Sequence, residues 1–256
     1  MTRDKTRIFQ MKQFSVSHAL SSNKVGVDGV LIGAWTTIPD TCHRVLDVGC
    51  GCGLISLMLA QRIPDAEILG IDIEPLAVKE AIYNCANSPW PDRLDIQEIS
   101  IDTIYERYNI SSDKSDVERF DLIISNPPFF NTGIDPSTCR TLARHVGSLS
   151  PDKLIMVADK MLSDHGRLSF ITVSEDFERL CDLASHNNLR LLESMYVRGN
   201  PERPAKRVMM TFIKKGSAND KVTAQESGIL TIEDKPGSYT EEYRQLCAPF
   251  YLKFKL

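Results

Sequence analysis

The chain has 256 residues, 42 % of them hydrophobic and 25 % charged, which is the make-up of one sizeable soluble domain with small additions. A formal net charge of −4 excludes binding of nucleic acid through bulk charge and leaves that role to a local basic patch. No apolar run reaches transmembrane length, the first five residues lack a signal peptide's apolar core, and the seven cysteines contain no C-x-x-C pair. The expectation is a cytoplasmic protein with free thiols, no membrane segment and no metal.

Residues 1–7 read as a solvated arm, and residues 8–16 alternate as a strand or hairpin. Lys24-Val25-Gly26-Val27-Asp28-Gly29 then leads into a short apolar helix ending at Trp35. Asp28 suits an N-cap of that helix and suits a functional role equally well. The segment 1–43 is thus an arm, a hairpin and a capping helix, placed before a core over 44–214. A linker and tail over 215–256 are expected to pack on that core.

The core opens with a buried strand at 44–48, the loop Gly49-Cys50-Gly51-Cys52-Gly53, and helical spacing of apolar residues from Leu54 to Ile63. Strand, glycine loop and helix bring a backbone and a helix N-terminus close to a ligand. The dinucleotide fingerprint needs a glycine at position 54, which is Leu. The spacing from Asp47 is instead D-x-G-x-G-x-G, the pattern of class I methyltransferases that bind S-adenosylmethionine. Asp47, Gly49, Cys50, Gly51 and Gly53 are therefore candidate cofactor residues.

A second strand over 67–71 ends in Asp72, followed by Ile73. An acid there can accept both hydroxyls of a ribose; the other reading is a cap for the helix over 76–86, which Glu74 can also supply. A third strand over 94–99 precedes Asp102, either a contact to the cofactor's adenine amine or a cap for a helix starting near Thr103. Residues 111–118 are a polar loop. The fourth strand, over 120–125, delivers Asn126-Pro127-Pro128-Phe129. Two prolines make a stiff, extended exit, so the Asn side chain and nearby carbonyls are held in place beside an aromatic ring. That set suits a planar amine, with acceptors for its N–H groups and a surface for its face.

Further on come a helix over 152–162, a strand over 167–173, a helix over 175–184, a strand over 189–197 and a last core strand over 208–213. Arg198, Arg203, Lys206 and Arg207 make the turn between the last two strands basic, for holding phosphates or as plain solvated charge. The tail offers a short strand over 229–232 and an aromatic-rich end. Four βα repeats imply a parallel sheet with ligands at its carboxyl edge, where the glycine loop, Asp72, Asp102 and Asn126 converge. The expected fold is α/β: a Rossmann-like class I methyltransferase with a mostly parallel seven-stranded sheet, a C-terminal antiparallel hairpin, and helices on both faces.

In residues 24–29 with Gly33-Ala34-Trp35, in 47–53, Ser88-Pro89-Trp90 and 120–129, the chain resembles the bacterial tRNA(Val) adenine-N6 methyltransferases. The likeness extends to Arg207-Val208, Tyr239-Thr240-Glu241 and Phe250-Tyr251-Leu252, and so covers nearly the whole chain. It implies methyl transfer from S-adenosylmethionine to N6 of adenine-37 in the anticodon loop. Asn126, Pro127, Pro128 and Phe129 would then be catalytic, Asp72, Ile73, Asp102 and Asn126 would contact the cofactor, and Lys24, Asp28, Arg144, Arg203, Lys206 and Arg207 would face tRNA. Phe129 and Phe130 stand where some relatives carry Tyr, which keeps stacking and loses a hydroxyl. Other acceptors with a planar amine are a protein glutamine amide and guanine N2 of rRNA; a cofactor-binding module without catalysis is a further alternative. The oligomeric expectation is a monomer.

Overall fold

The strands predicted from apolar runs assemble into one mixed sheet in the computed structural model, which describes residues 8–21, 24–110, 119–128, 149–216, 223 and 227–255. In chain order the elements begin with β1 (Ile8–Gln10), β2 (Ser15–Ser17), α1 (Val27–Trp35), β3 (Arg44–Val48) and α2 (Leu54–Arg62). Next are β4 (Glu67–Asp72), α3 (Pro75–Ala86), β5 (Leu94–Glu98), α4 (Ile101–Ile110) and β6 (Phe120–Ser125). They continue as α5 (Pro151–Met161), β7 (Leu162–Val173), α6 (Phe177–His186), β8 (Leu189–Arg198) and β9 (Arg207–Lys214). The tail supplies β10 (Gly228–Thr231), β11 (Glu233–Lys235), β12 (Ser238–Tyr239) and α7 (Glu241–Cys247).

Among the described residues the main sheet has eight strands, ordered β10-β8-β9-β7-β6-β3-β4-β5. Strands β3 to β7 pair in parallel, and β9 runs antiparallel between β7 and β8. This is the expected fold with one strand more. The addition is β10, which pairs in parallel with β8 and buries Leu230, so the tail closes a ladder edge that the core would otherwise leave open.

Alternation along the central strands feeds two cores. Val45, Ile68, Leu122 and Ile124 face α1 and α2, whereas Leu46, Val48, Ile71 and Ile123 pack toward α4 and α5. Helix ends are satisfied by two guanidinium groups. Arg62 donates to the carbonyls of Gly33 (2.7 Å) and Thr36 (2.8 Å) behind α1, and Arg93 donates to those of Ala60, Ile63 and Ala66 behind α2.

Two local expectations change. The N-cap of α1 is Gly26, without a side-chain bond, and Asp28 sits inside the first turn. The tail holds a helix, α7, that hydrophobic spacing alone does not reveal. Its signal is Thr240-Glu241-Glu242: the Thr240 hydroxyl accepts from Tyr243 N–H at 3.3 Å, with acids in the first turn. Within the tail Tyr239, Tyr243, Tyr251 and Phe254 form a cluster of ring contacts. Lys12 donates to Ala248 O, which ties the N-terminal hairpin to the tail. Among the described residues no helix is long and apolar enough to cross a membrane.

Candidate active site

The loop after β3 is shaped by its glycines. Gly49, Gly51 and Gly53 have φ of 70°, 56° and 82°, a region that side chains disfavour. At Gly49 a Cβ would also lie 2.6 Å from Leu149 Cδ2, so that side chain would have to move aside. The loop is pinned to the neighbouring strand, because Gly49 and Cys50 N–H both donate to Ile71 O, at 2.8 and 3.0 Å. Asp72 completes the pinning. Its Oδ2 accepts from Gly51 N–H and its Oδ1 from Glu74 N–H, each at 2.9 Å. Each oxygen retains a lone pair for a ligand.

Three segments enclose a cavity of about 420 Å³ at the carboxyl edge of the parallel strands: residues 24–29, the glycine loop with Leu54 and Ile55, and residues 126–128. The exits of β3 and β6 are tied together by the Ser125 hydroxyl, which donates to Val48 O at 2.7 Å. Beyond it Asn126 Oδ1 is buried without a hydrogen-bond partner among the described residues. An orphaned acceptor of this kind costs free energy unless a ligand donor completes it. Gly29 permits the close approach here: a Cβ on it would meet Leu54 Cδ2 at 3.2 Å and Asn126 Nδ2 at 3.8 Å.

The candidates separate by position. Gly49, Cys50, Gly51, Asn126, Pro127, Pro128, Lys24 and Asp28 line the cavity. Lys24 Nζ donates to the carbonyls of His18 (2.9 Å) and Ser21 (3.2 Å). Asp28 is ion-paired with Arg207 at 3.2 Å. The register Val173↔Arg207 sets the basic turn at the same sheet edge, with Arg203 and Lys206 exposed and outside the cavity wall. Asp102 is no cap. Ser100 Oγ accepts from Thr103 N–H, while Asp102 is ion-paired with Lys153 of α5. Ile73 is 56 % exposed beside Asp72. Phe129 and Arg144 lie outside the described residues.

Two cofactor candidates lie off the cavity wall. Gly53 faces α3, where a Cβ would sit 3.3 Å from Ala81 Cβ, so the helix packs closely against the loop there. Asp47 is fully buried and accepts from the Ser56 hydroxyl at 2.6 Å. The reason is that β3 is central and covered on both faces, so its polar side chain points at α2 and not at the cavity. Residues 25–27, Gly29, Cys52, Leu54 and Ile55 also line the cavity; apolar spacing after the loop signals only a helix core. Burial pushes the thiol of Cys50 far up and that of Cys52 up to about 11, which leaves both as inert wall groups.

Asp47 carries a pH signature. Burial pushes its carboxyl up to about 7, against the pull of the Ser56 hydrogen bond. In the unfolded chain it titrates near ~3.9. Between these values the native state keeps a proton that the unfolded chain releases, so stability falls as pH rises through that window. Asp47→Asn keeps the shape without the charge. Its stability is expected to exceed wild type by about 1–2 kcal/mol at pH 5 and by about 4 kcal/mol at pH 8. Urea unfolding at the two pH values checks this; a gap independent of pH contradicts it.

The Methyltransferase small domain family model matches residues 30–183. A tRNA1(Val) (adenine(37)-N6)-methyltransferase of Porphyromonas gingivalis is 38 % identical over 258 residues, covering 96 % of this chain and 95 % of that protein. One from Flavobacterium psychrophilum is 38 % identical over 247 residues, covering 96 % of this chain and all of its own. A solved structure of a predicted O-methyltransferase from Agrobacterium tumefaciens shares the fold, with a TM-score of 0.59 at 17 % identity over 87 % of this chain and 96 % of that one. By the family match, and by the extent and level of identity, this chain belongs to the Methyltransferase small domain family and within it to the tRNA1(Val) (adenine(37)-N6)-methyltransferases.

Proposed function

We propose that the chain transfers a methyl group from S-adenosylmethionine to N6 of adenine-37 in the anticodon loop of tRNA1(Val), acting as a monomer in the cytoplasm. The observation that carries this reading is the orphaned, buried Asn126 Oδ1 on the wall of a cavity whose other side is a glycine loop. The residues fit such a cofactor. A Cβ on Gly51 would meet nothing within 4 Å, so the loop is open to a ligand there, and Asp72 beside it has acceptor capacity left for a ribose. Ile73 and Asp102, beyond the ends of β4 and β5, are the proposed neighbours of the adenine. When bound, S-adenosylmethionine supplies the electrophilic sulfonium methyl.

The chain's own groups do the rest. The lone pair of an exocyclic amine is delocalised into its ring, which makes the nitrogen a poor nucleophile. Asn126 Oδ1 accepts one N–H of the amine and the Pro127 carbonyl the other, which favours a pyramidal nitrogen. As positive charge grows on that nitrogen, both acceptors bind it more strongly than they bind the ground state. The two prolines keep them from relaxing, so the contribution is positioning and needs no separate strong base. Arg198, Arg203 and Lys206, on the same sheet edge, meet the phosphates of the loop. The purine leaves its stack to enter, at a cost of a few kcal/mol.

Labelled S-adenosylmethionine offered with unmodified tRNA, rRNA or a release factor tests the acceptor class. N6-methyladenosine recovered from tRNA is the expected product. N2-methylguanosine, or a methylated glutamine, overturns the reading.

A further inference from the structure

Helix α3 carries two buried polar side chains one turn apart, Glu80 and Asn84, each 2 % exposed. Glu80 Oε1 accepts from the Ser17 hydroxyl (2.9 Å) and from the N–H groups of Ala19 (2.5 Å) and Leu20 (3.0 Å). Its Oε2 accepts from Ser21 N–H at 2.9 Å. Asn84 Oδ1 accepts from Ser17 N–H, and its Nδ2 donates to the carbonyls of Ser17 and Cys52, all at 2.8 Å. Burial would raise the Glu80 carboxyl, but these hydrogen bonds hold it below the usual range, so it is ionised at neutral pH.

A hairpin can be anchored with apolar side chains alone, and Met11, Phe14 and Val16 already do so. Burying a carboxylate is costly, and what it adds is a fixed backbone path. From Ser17 to Ser21 that path is set by Glu80, and its carbonyls at His18 and Ser21 receive the ammonium of Lys24. Lys24 begins the N-terminal wall of the cavity, which ends at Gly29 against the Asn126 amide. On its other side Asn84 holds the Cys52 carbonyl of the glycine loop. One turn of α3 therefore touches the supports of two cavity walls.

We propose that Glu80 and Asn84 are positioning residues of the transfer reaction, fixing the N-terminal wall of the cavity against the glycine loop. The proposal rests on the methyl-transfer reading above. Glu80 acts on the wall that borders the acceptor; Asn84 acts on that wall and on the cofactor loop as well. Glu80→Gln keeps the shape but turns an N–H₂ group toward N–H donors. Asn84→Asp keeps the bond to Ser17 N–H but sets an oxygen against two carbonyls.

The test combines steady-state kinetics on tRNA, calorimetry of cofactor binding and the melting temperature of each variant. Glu80→Gln is expected to raise KM for tRNA at least about tenfold, with the cofactor Kd within about threefold of wild type. Asn84→Asp is expected to raise the cofactor Kd at least about tenfold as well. Ser17→Ala, which removes one donor to Glu80 and leaves α3 and the cavity wall untouched, should raise KM in the same direction if Glu80→Gln fails to fold. Lower melting temperatures with KM and Kd both within about threefold of wild type overturn the proposal, since a purely structural anchor gives that pattern. A wild-type enzyme that binds cofactor but does not methylate tRNA overturns the functional reading instead; the calorimetry of Asn84→Asp still judges the clamp.

Discussion

Alanine in place of Asn126 is expected to lower kcat by about 10²–10³-fold, the scale of losing one preorganised acceptor at a developing charge. The cofactor Kd is expected to stay within about threefold, because Asn126 lies on the wall next to Gly29, while the glycine loop, pinned by Asp72, forms the other side. The fold should lose little. Asn126 Oδ1 makes no hydrogen bond among the described residues, so its removal deletes a buried unsatisfied group and no native contact of that atom. Single-turnover rates, calorimetry and a melting curve on the same preparation separate these effects. Equal losses in kcat and in cofactor affinity would assign Asn126 to the cofactor or to the fold.

Asp72→Ala should do the reverse. The substitution removes the acceptor of Gly51 N–H and Glu74 N–H, and with it the group proposed to receive the ribose hydroxyls. Charge-assisted bonds of this kind are each worth about 1.5–3 kcal/mol, so the cofactor Kd is expected to rise by about 10²-fold. At saturating cofactor kcat should fall by less than about fivefold, since Asn126 and the prolines are untouched. Calorimetric titration reads the first quantity and initial rates read the second. A collapse of kcat with unchanged Kd would mean that Asp72 serves the reacting amine.

Much of this was legible in the chain because local chemistry and global position agree there. The strands at 44–48 and 120–125 are both short, mostly apolar runs bounded by turn signals, and both appear where that pattern puts them. Asn126 is readable because two prolines after a strand leave the backbone few paths. Asp47 shows the limit. Spacing places it in the loop signature, but which face of a central strand it occupies is decided by the helices packed on either side. Gly53 is similar, since glycine spacing alone does not announce its close neighbour Ala81. Asp102 has a partner, Lys153, fifty-one positions away, and no local pattern announces it. The clamp from Glu80 and Asn84 is hidden for the same reason, because both residues bond to segments far from them in the chain, residues 17–21 and Cys52. The eighth strand was visible as a strand, but its partner was not.

The central claim is that the cavity holds one particular amine for methyl transfer. Its most direct test is nucleoside analysis of tRNA1(Val) after treatment with the wild-type protein and S-adenosylmethionine, beside the same tRNA in which only adenosine-37 is replaced by guanosine. The account predicts one N6-methyladenosine per molecule of the first tRNA and none in the second. Methylation of both, or of neither while another RNA is methylated, would contradict it.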